Sequence, residues 1–228
     1  MSEKSLSTSE KFLLIAHHPD RGRFMIPKTY LQYGIAGAIL LDLTIEDRIE
    51  TDGAKFSLKR ARASTDPVLN DVIALMSQSP KSRKAEYWIR KLGTRYNKYL
   101  LQILRGLAGK RIVHNEDKKF LGLIPYRKSY LLESYTRSNL VRQLRDEIVG
   151  YCGVPGDNMA LAGMIEACRM HRILTTDRDE LKHIKSQLKR MIKENPVADA
   201  VTQTVNQVQA AVIASITAAV VASTTGRH

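Results

Sequence analysis

The 228-residue chain has few side chains in arrangements that chemistry uses. His17-His18-Pro19-Asp20 has the residue types of a metal or acid–base cluster. Neighbours on a turn point in different directions, however, and no second cluster supplies further ligands, so the stretch reads as a surface turn. Cys168 and His171 are three residues apart, which puts them on one helical face. No third group completes a nucleophilic or metal site, and Cys168 reads as core. Asp42 stands alone in an apolar run, where a carboxylate is expected to be buried and satisfied by a cation such as Arg48. GxGxxG, GxxxxGK[ST], HExxH and GxSxG are all absent from the sequence. The expectation is a non-enzyme with no metal and no cofactor.

What the chain has in quantity is positive charge. Lys and Arg number 36 against 23 Asp and Glu, giving a net charge of +13 and a pI of about 9.8. Residues 1–77 are neutral, 78–150 carry 17 basic and 6 acidic side chains, and 151–228 are close to balanced. An excess confined to one segment points to a polyanionic partner, either nucleic acid or an acidic membrane surface. Hydrophobic content of 43% and charged content of 26% exclude a disordered chain. Two cysteines, Cys152 and Cys168, without CxxC spacing argue against a disulfide scaffold and for a reducing compartment. Met1 to Glu10 is polar and Ser-rich, so no secretory signal is expected there.

The elements that position these groups are mostly helical. Phe12-Leu13-Leu14-Ile15-Ala16 is a short apolar run, and Tyr30 to Ile45 is apolar on almost every face, as a helix in the middle of a core must be. Asp66-Pro67 has an N-cap followed by Pro at the first helical position, and Ser79-Pro80 repeats that signal ahead of Trp88, Ile89 and Leu92. A helix through Tyr96, Leu100, Ile103, Leu104 and Leu107 is expected to stop at Gly109. Arg111–His114, Asn115–Lys118 and Lys119–Ile124 then read as strand, turn and strand closed by Pro125, the one good hairpin signal in the chain. Helices resume at Leu140–Val149, Asp157–Ile173 and Asp177–Ile192. The uncharged stretch Ala200 to Gly226 is long enough to cross a bilayer, but Gln203, Asn206, Gln207 and Gln209 are costly in hydrocarbon, so it reads as a buried core helix. The fold class is mainly α: residues 1–9 as a flexible N-terminus, and 10–228 as a single compact helical domain with a buried central apolar helix and one β-hairpin.

Several of these segments resemble the Golgi phosphoprotein 3 family. Phe12–Ala16, then Tyr33-Gly34-Ile35-Ala36-Gly37 opening a long apolar helix that leaves through Asp42-Leu43 and Arg48-Ile49, looks like the family's start. Trp88-Ile89, Ile112-Val113 with Phe120-Leu121-Gly122-Leu123-Ile124-Pro125, and the Ala/Val-rich C-terminal helix follow in the family's order, with the hairpin most similar to the bacterial branch. The resemblance implies a helical protein with a projecting hydrophobic hairpin and no catalysis. Its eukaryotic relatives bind phosphatidylinositol 4-phosphate at Golgi membranes and recruit the cytoplasmic tails of glycosyltransferases and the coatomer coat. Where the family has its lipid-contacting Trp and the Arg between its helix glycines, this chain has Pro27 and Ala36. Two further basic positions fall near Asn97 and Leu100, beside Arg95, Lys98 and Arg105.

The resulting expectation is a cytoplasmic, peripheral membrane protein that binds anionic phospholipid headgroups without catalysis. Lys28, Arg95, Lys98 and Arg105 are expected to contact phosphate, while Phe120, Leu123, Ile124, Tyr126, Arg127 and Lys128 of the hairpin touch the membrane. The tails of membrane proteins are further expected partners, and the hairpin is also a surface through which copies could associate. An alternative is a winged-helix nucleic-acid binder with Lys110, Arg111, Lys118 and Lys119 on the wing. The uniformly apolar helix through residues 30–45 does not look like a recognition helix, so nucleic acid is the less expected partner.

Overall fold

The computed structural model describes residues 6–52, 55–59, 63–79, 81–120, 124–132, 134–150, 158–193 and 200–225. The chain opens with helix α1 (Thr8–Ala16), which starts inside the stretch expected to be flexible. Ser7 is its N-cap and forms a capping box with Glu10. Helix α2 (Lys28–Ile45) crosses the centre, with Leu31 and every residue from Gly34 to Thr44 buried. Asp42 is the exception to its apolar character, and it has a structural use. Its carboxylate accepts from the N–H groups of Thr8, at 2.6 Å, and Ser9, at 3.0 Å, so α2 caps α1. Burial pushes the Asp42 carboxyl above its ordinary value, and these hydrogen bonds oppose the rise. The expected partner Arg48 pairs instead with Glu46 at 3.3 Å. The Asp42 carboxylate, in the last turn of α2, already accepts from two amide donors and is not paired with a cation among the described residues.

Gly34 and Gly37 let α2 be approached closely on two sides. A Cβ on Gly34 would lie 2.3 Å from Phe12 Cζ of α1, and one on Gly37 would lie 2.7 Å from Val212 Cγ2. Ala36 between them is 1% exposed, so a side chain at that position faces the core and not a surface.

Beyond α2, strands β1 (Ile49–Asp52), β2 (Lys55–Leu58) and β3 (Arg83–Lys84) form a small antiparallel sheet in that order. No strand was expected here, because four-residue strands that bury one large side chain, Phe56, carry too little alternation to be read. Helix α3 (Pro67–Ser77) begins as expected, with Asp66 accepting from Val68 N–H at 2.7 Å. Helix α4 (Ala85–Gly93) begins later than Ser79-Pro80 indicated, because Arg83 and Lys84 pair with β2. Helix α5 (Tyr96–Gly109) leads to the hairpin of β4 (Val113–Phe120) and β5 (Ile124–Leu131). The expected turn at Asn115–Lys118 is strand instead. In register, Glu116 stands opposite Lys128, and such opposite-charge pairing favours strand over turn. Pro125 lies within β5, where a two-stranded ribbon tolerates it.

Helices α6 (Ser134–Val149), α7 (Met159–Ala167), α8 (His171–Leu174), α9 (Arg178–Lys193) and α10 (Ala200–Thr225) complete the order. The single helix expected over Asp157–Ile173 is broken at Arg169, which has a φ of 53°. Met170 N–H donates to Ile165 O and Arg169 N–H to Glu166 O, a Schellman ending without glycine. Arg111 (φ 60°) and Asp47 (φ 55°) end α5 and α2 in the same way. Gly109 is therefore the last residue of α5, and Arg111 takes the left-handed position.

α10 packs on α2, α4 and α7. Val208, Gln209, Ala211, Val212, Ser215 and Ile216 are buried, whereas Ile213, Val220 and Val221 are 44, 44 and 54% exposed. The expectation of a buried core helix holds for one face of the described side chains as far as Ile216; beyond that point they are mostly exposed. Gln207–Thr224 is long and apolar enough to cross a membrane, and one third of it is buried.

Candidate functional site

The groups singled out for chemistry all have structural partners. His17 is 2% exposed, not a surface residue. Its Nε2 lies 2.7 Å from Ser129 O and its Nδ1 2.8 Å from His18 O, which ties the turn after α1 to the base of the hairpin. Burial pulls the His17 imidazole below its ordinary value, with those carbonyls opposing. Cys168 is buried, which pushes its thiol up, and it donates to Tyr30 O at 3.6 Å. His171 lies across the helix break from Cys168 and bonds Glu166 Oε2 at 2.5 Å. Among the described residues, no three His, Cys, Asp or Glu side chains group as metal ligands.

Many cations of the 78–150 segment are neutralised within the fold. Lys98 pairs with Asp71 at 2.6 Å, Lys110 with Glu10 at 2.5 Å, and Arg145 with Asp146 at 3.1 Å. Arg137 is buried and donates to Ile15 O at 3.0 Å. Four others converge with one cation from outside the segment. Lys81, Arg83 and Lys84 just before α4, Glu86, Tyr87 and Arg90 on α4, and Lys55 of β2 line a cleft of about 590 Å³. Glu86 is taken by Arg90 at 2.8 Å, and among the described residues no carboxylate pairs with Lys55, Lys81, Arg83 or Lys84.

Three local features build this cleft. The β2–β3 register sets Lys55 directly opposite Lys84, a like-charge pair that costs a few tenths of a kcal/mol and that a bound anion would relieve. Lys84 is also the N-cap of α4 and gives it no side-chain cap, so the helix begins with amide N–H groups that suit an anion. Tyr87, 39% exposed, forms one wall. The Arg83 guanidinium sits 5.2 Å from its ring centroid, Lys91 Nζ sits 5.5 Å away, and Trp88 meets the ring edge-on beneath. The arrangement can hold a phosphate or a cluster of phosphates.

The four residues expected to contact the headgroup are placed differently. Lys28, at the start of α2, lies over the Tyr96 ring at 6.0 Å. Arg95 caps the start of α5 and is exposed, and Lys98 is held by Asp71. Bonds from Lys98, and secondarily Gln102, keep the Asp71 carboxyl below its usual range. Arg105 is exposed on α5, ten residues and about 15 Å along the axis from Arg95. None of the four lines the cleft. Lys128 is half-buried beside Gly22. Phe120, Ile124, Tyr126 and Arg127 belong to the strands, but their side chains, and Leu123 altogether, lie outside the described residues.

Lys81-Ser82-Arg83-Lys84 was not singled out from the sequence, although three cations in four residues is a signal that could have found it. Lys55 arrives only through strand pairing, nearly thirty residues upstream, and had no signal of its own. No curated protein matches the chain. The central helix with Gly34 and Gly37, Trp88 beneath the cleft and the α5–hairpin order nonetheless agree with a family model, Golgi phosphoprotein 3 (GPP34), that matches residues 9–208, and the chain belongs to that family.

Proposed function

We propose that the protein is a non-enzymatic peripheral membrane protein that binds anionic phospholipid headgroups through the cleft of Lys55, Lys81, Arg83, Lys84 and Arg90. The observation that carries this reading is the convergence on one concave site of Lys55, Lys81, Arg83 and Lys84, which pair with no carboxylate among the described residues, beside an uncapped helix start and an exposed aromatic ring. A basic group near an anionic surface contributes about 1 kcal/mol, so four of them amount to about 4 kcal/mol before any specific fit. That is enough for reversible attachment to a membrane and not enough for permanent insertion. Family membership agrees with an association with membranes. Pro27 and Ala36 mark where the headgroup contacts of this chain differ from those of its eukaryotic relatives.

Co-sedimentation with vesicles tests the reading. The protein should pellet with vesicles containing phosphatidylserine or a phosphoinositide, not with phosphatidylcholine alone, and added salt should weaken binding. Lys81→Ala/Arg83→Ala/Lys84→Ala should remove most of the binding. Arg95→Ala/Lys98→Ala/Arg105→Ala tests the other cation set in the same assay; if that variant alone loses binding, the headgroup lies along α5. Equal binding to charged and neutral vesicles, or binding to neither, overturns the proposal. A retained shift of duplex DNA at low salt, with no vesicle binding, would replace it with the nucleic-acid alternative.

A further inference from the structure

A second cleft, which shares no lining residue with the first, combines charge with apolar surface. It encloses about 630 Å³ between the α7–α8 corner, α9 and the C-terminal half of α10. Arg169 and Arg172 approach from the corner, and Lys185 and Lys189 from α9. All four are exposed, and among the described residues none has a carboxylate partner. The one acid in the lining, Glu166, is occupied by His171 at 2.5 Å. That bond, and the nearby Lys189 and Lys185, hold its carboxyl below the usual range, so both lysines lean over this cleft.

The opposite wall is hydrocarbon. Ile213, Ile216, Val220 and Val221 recur on α10 at spacings of three, four and one, with Thr217 among them, and so form one helical stripe. Ile216 is buried at the floor, while Ile213, Val220 and Val221 stay open. The stripe is about 12 Å long. Four side chains on so short a stretch fall far below the roughly 1,200 Å² that a stable protein interface buries. They match a chain lying along the helix. The Schellman ending at Arg169 shapes the cationic wall, since it turns the chain at that point, and both arginines line the same cleft as the apolar stripe.

We propose that this cleft binds an anionic amphiphile, with its phosphate or carboxylate head on Arg169, Arg172, Lys185 and Lys189 and its acyl chain along Ile213, Val220 and Val221 of α10. A bare anion would leave the stripe uncovered, and a cationic detergent would meet four like charges. The source is either a free single-chain lipid or a phospholipid drawn from a bilayer, and the chemistry recognised is the same. This inference is independent of the first cleft.

Calorimetric titration of the full chain with dodecyl phosphate, below its micelle concentration, tests the proposal. Dodecyl phosphate should bind about 100-fold more tightly than inorganic phosphate, because only the former buries a chain. Dodecyltrimethylammonium should not bind. Lys185→Ala/Lys189→Ala should weaken dodecyl phosphate roughly 30-fold, and Ile213→Ser/Val220→Ser/Val221→Ser roughly tenfold; all five positions are exposed, so folding is spared. Circular dichroism and the melting transition should confirm parental folding. If the same variants also lose anionic vesicles while the first-cleft variant keeps part of that binding, the source is a bilayer lipid; unchanged vesicle binding identifies a free amphiphile. The proposal fails if inorganic phosphate binds as well as dodecyl phosphate, if the cationic detergent binds equally, or if both variants bind like the parent.

Discussion

The two clefts gather similar charge for different company. The first places Lys55, Lys81, Arg83, Lys84 and Arg90 around a tyrosine ring and the open start of α4, and its apolar surface comes from that ring and from the stems of charged side chains, with no aliphatic residue in the lining. The second sets Arg169, Arg172, Lys185 and Lys189 against the bare apolar stripe of α10. Coulombic attraction alone would let either site take any anion. The neighbouring surface decides the rest: a phosphate cluster suits the first, and a head with a chain suits the second. Their construction differs as well. Strand pairing makes the first cleft, so it depends on β2 and β3; a helix ending and one helix packed through Gly37 make the second.

The largest expected effect that separates them is the loss of Lys81, Arg83 and Lys84. Replacing all three with Ala should cost about 3 kcal/mol, or roughly 150-fold in anionic vesicle affinity, while dodecyl phosphate binding stays within twofold of the parent. Equal losses of both ligands would merge the two sites into one. Next comes Gly37→Ala. Its Cβ would press on Val212 and Met164, so overpacking should lower stability by about 1–3 kcal/mol and loosen α10. Dodecyl phosphate affinity should then fall before vesicle affinity does, and hydrogen exchange should rise along α10.

Asp42→Ala supplies the control. It orphans the Thr8 and Ser9 amides and should cost about 1–3 kcal/mol in urea unfolding, with no change in the ligand preference of either cleft. Tyr87→Leu removes the ring from the first cleft alone. A loss of about 0.5–1 kcal/mol in vesicle binding is expected, and any change at the second cleft would contradict their separation.

A pH series separates both clefts from the hairpin base. His17 has a lowered folded-state pKa, so the unfolded chain takes up its proton first as pH falls. The stability it contributes is complete above the unfolded value of about 6.5 and declines as pH drops below that toward the folded value. His17→Gln should flatten this part of the stability profile, read from urea midpoints between neutral and mildly acidic pH.

Much of the fold was legible because local signals agreed with tertiary packing. Phe12–Ala16 and the apolar run from Ile35 to Leu43 could only be core, and Asp66-Pro67 started α3 where its capping chemistry required. The errors share a cause. Asn115–Lys118 looks like a turn until Lys128 is set opposite Glu116, and Ser79-Pro80 looks like a helix start until β2 recruits Arg83 and Lys84. Arg169 gave no warning of a helix end, because the usual glycine is absent and the buried Met170 beside it supplies the drive.

The sequence by itself determined a mainly α chain, its central helix, its family pattern and the concentration of charge in 78–150, because composition and periodicity are properties of neighbours along the chain. Tertiary structure alone decided which cations remain available. Lys98 and Lys110 are held in ion pairs by Asp71 and Glu10, residues 27 and 100 positions away, whereas Lys55 and Lys84 are set face to face. It also decided which face of α10 stays open. An ion pair or a packed helix face is settled by distance in space, and over separations this long, position along the chain does not report distance.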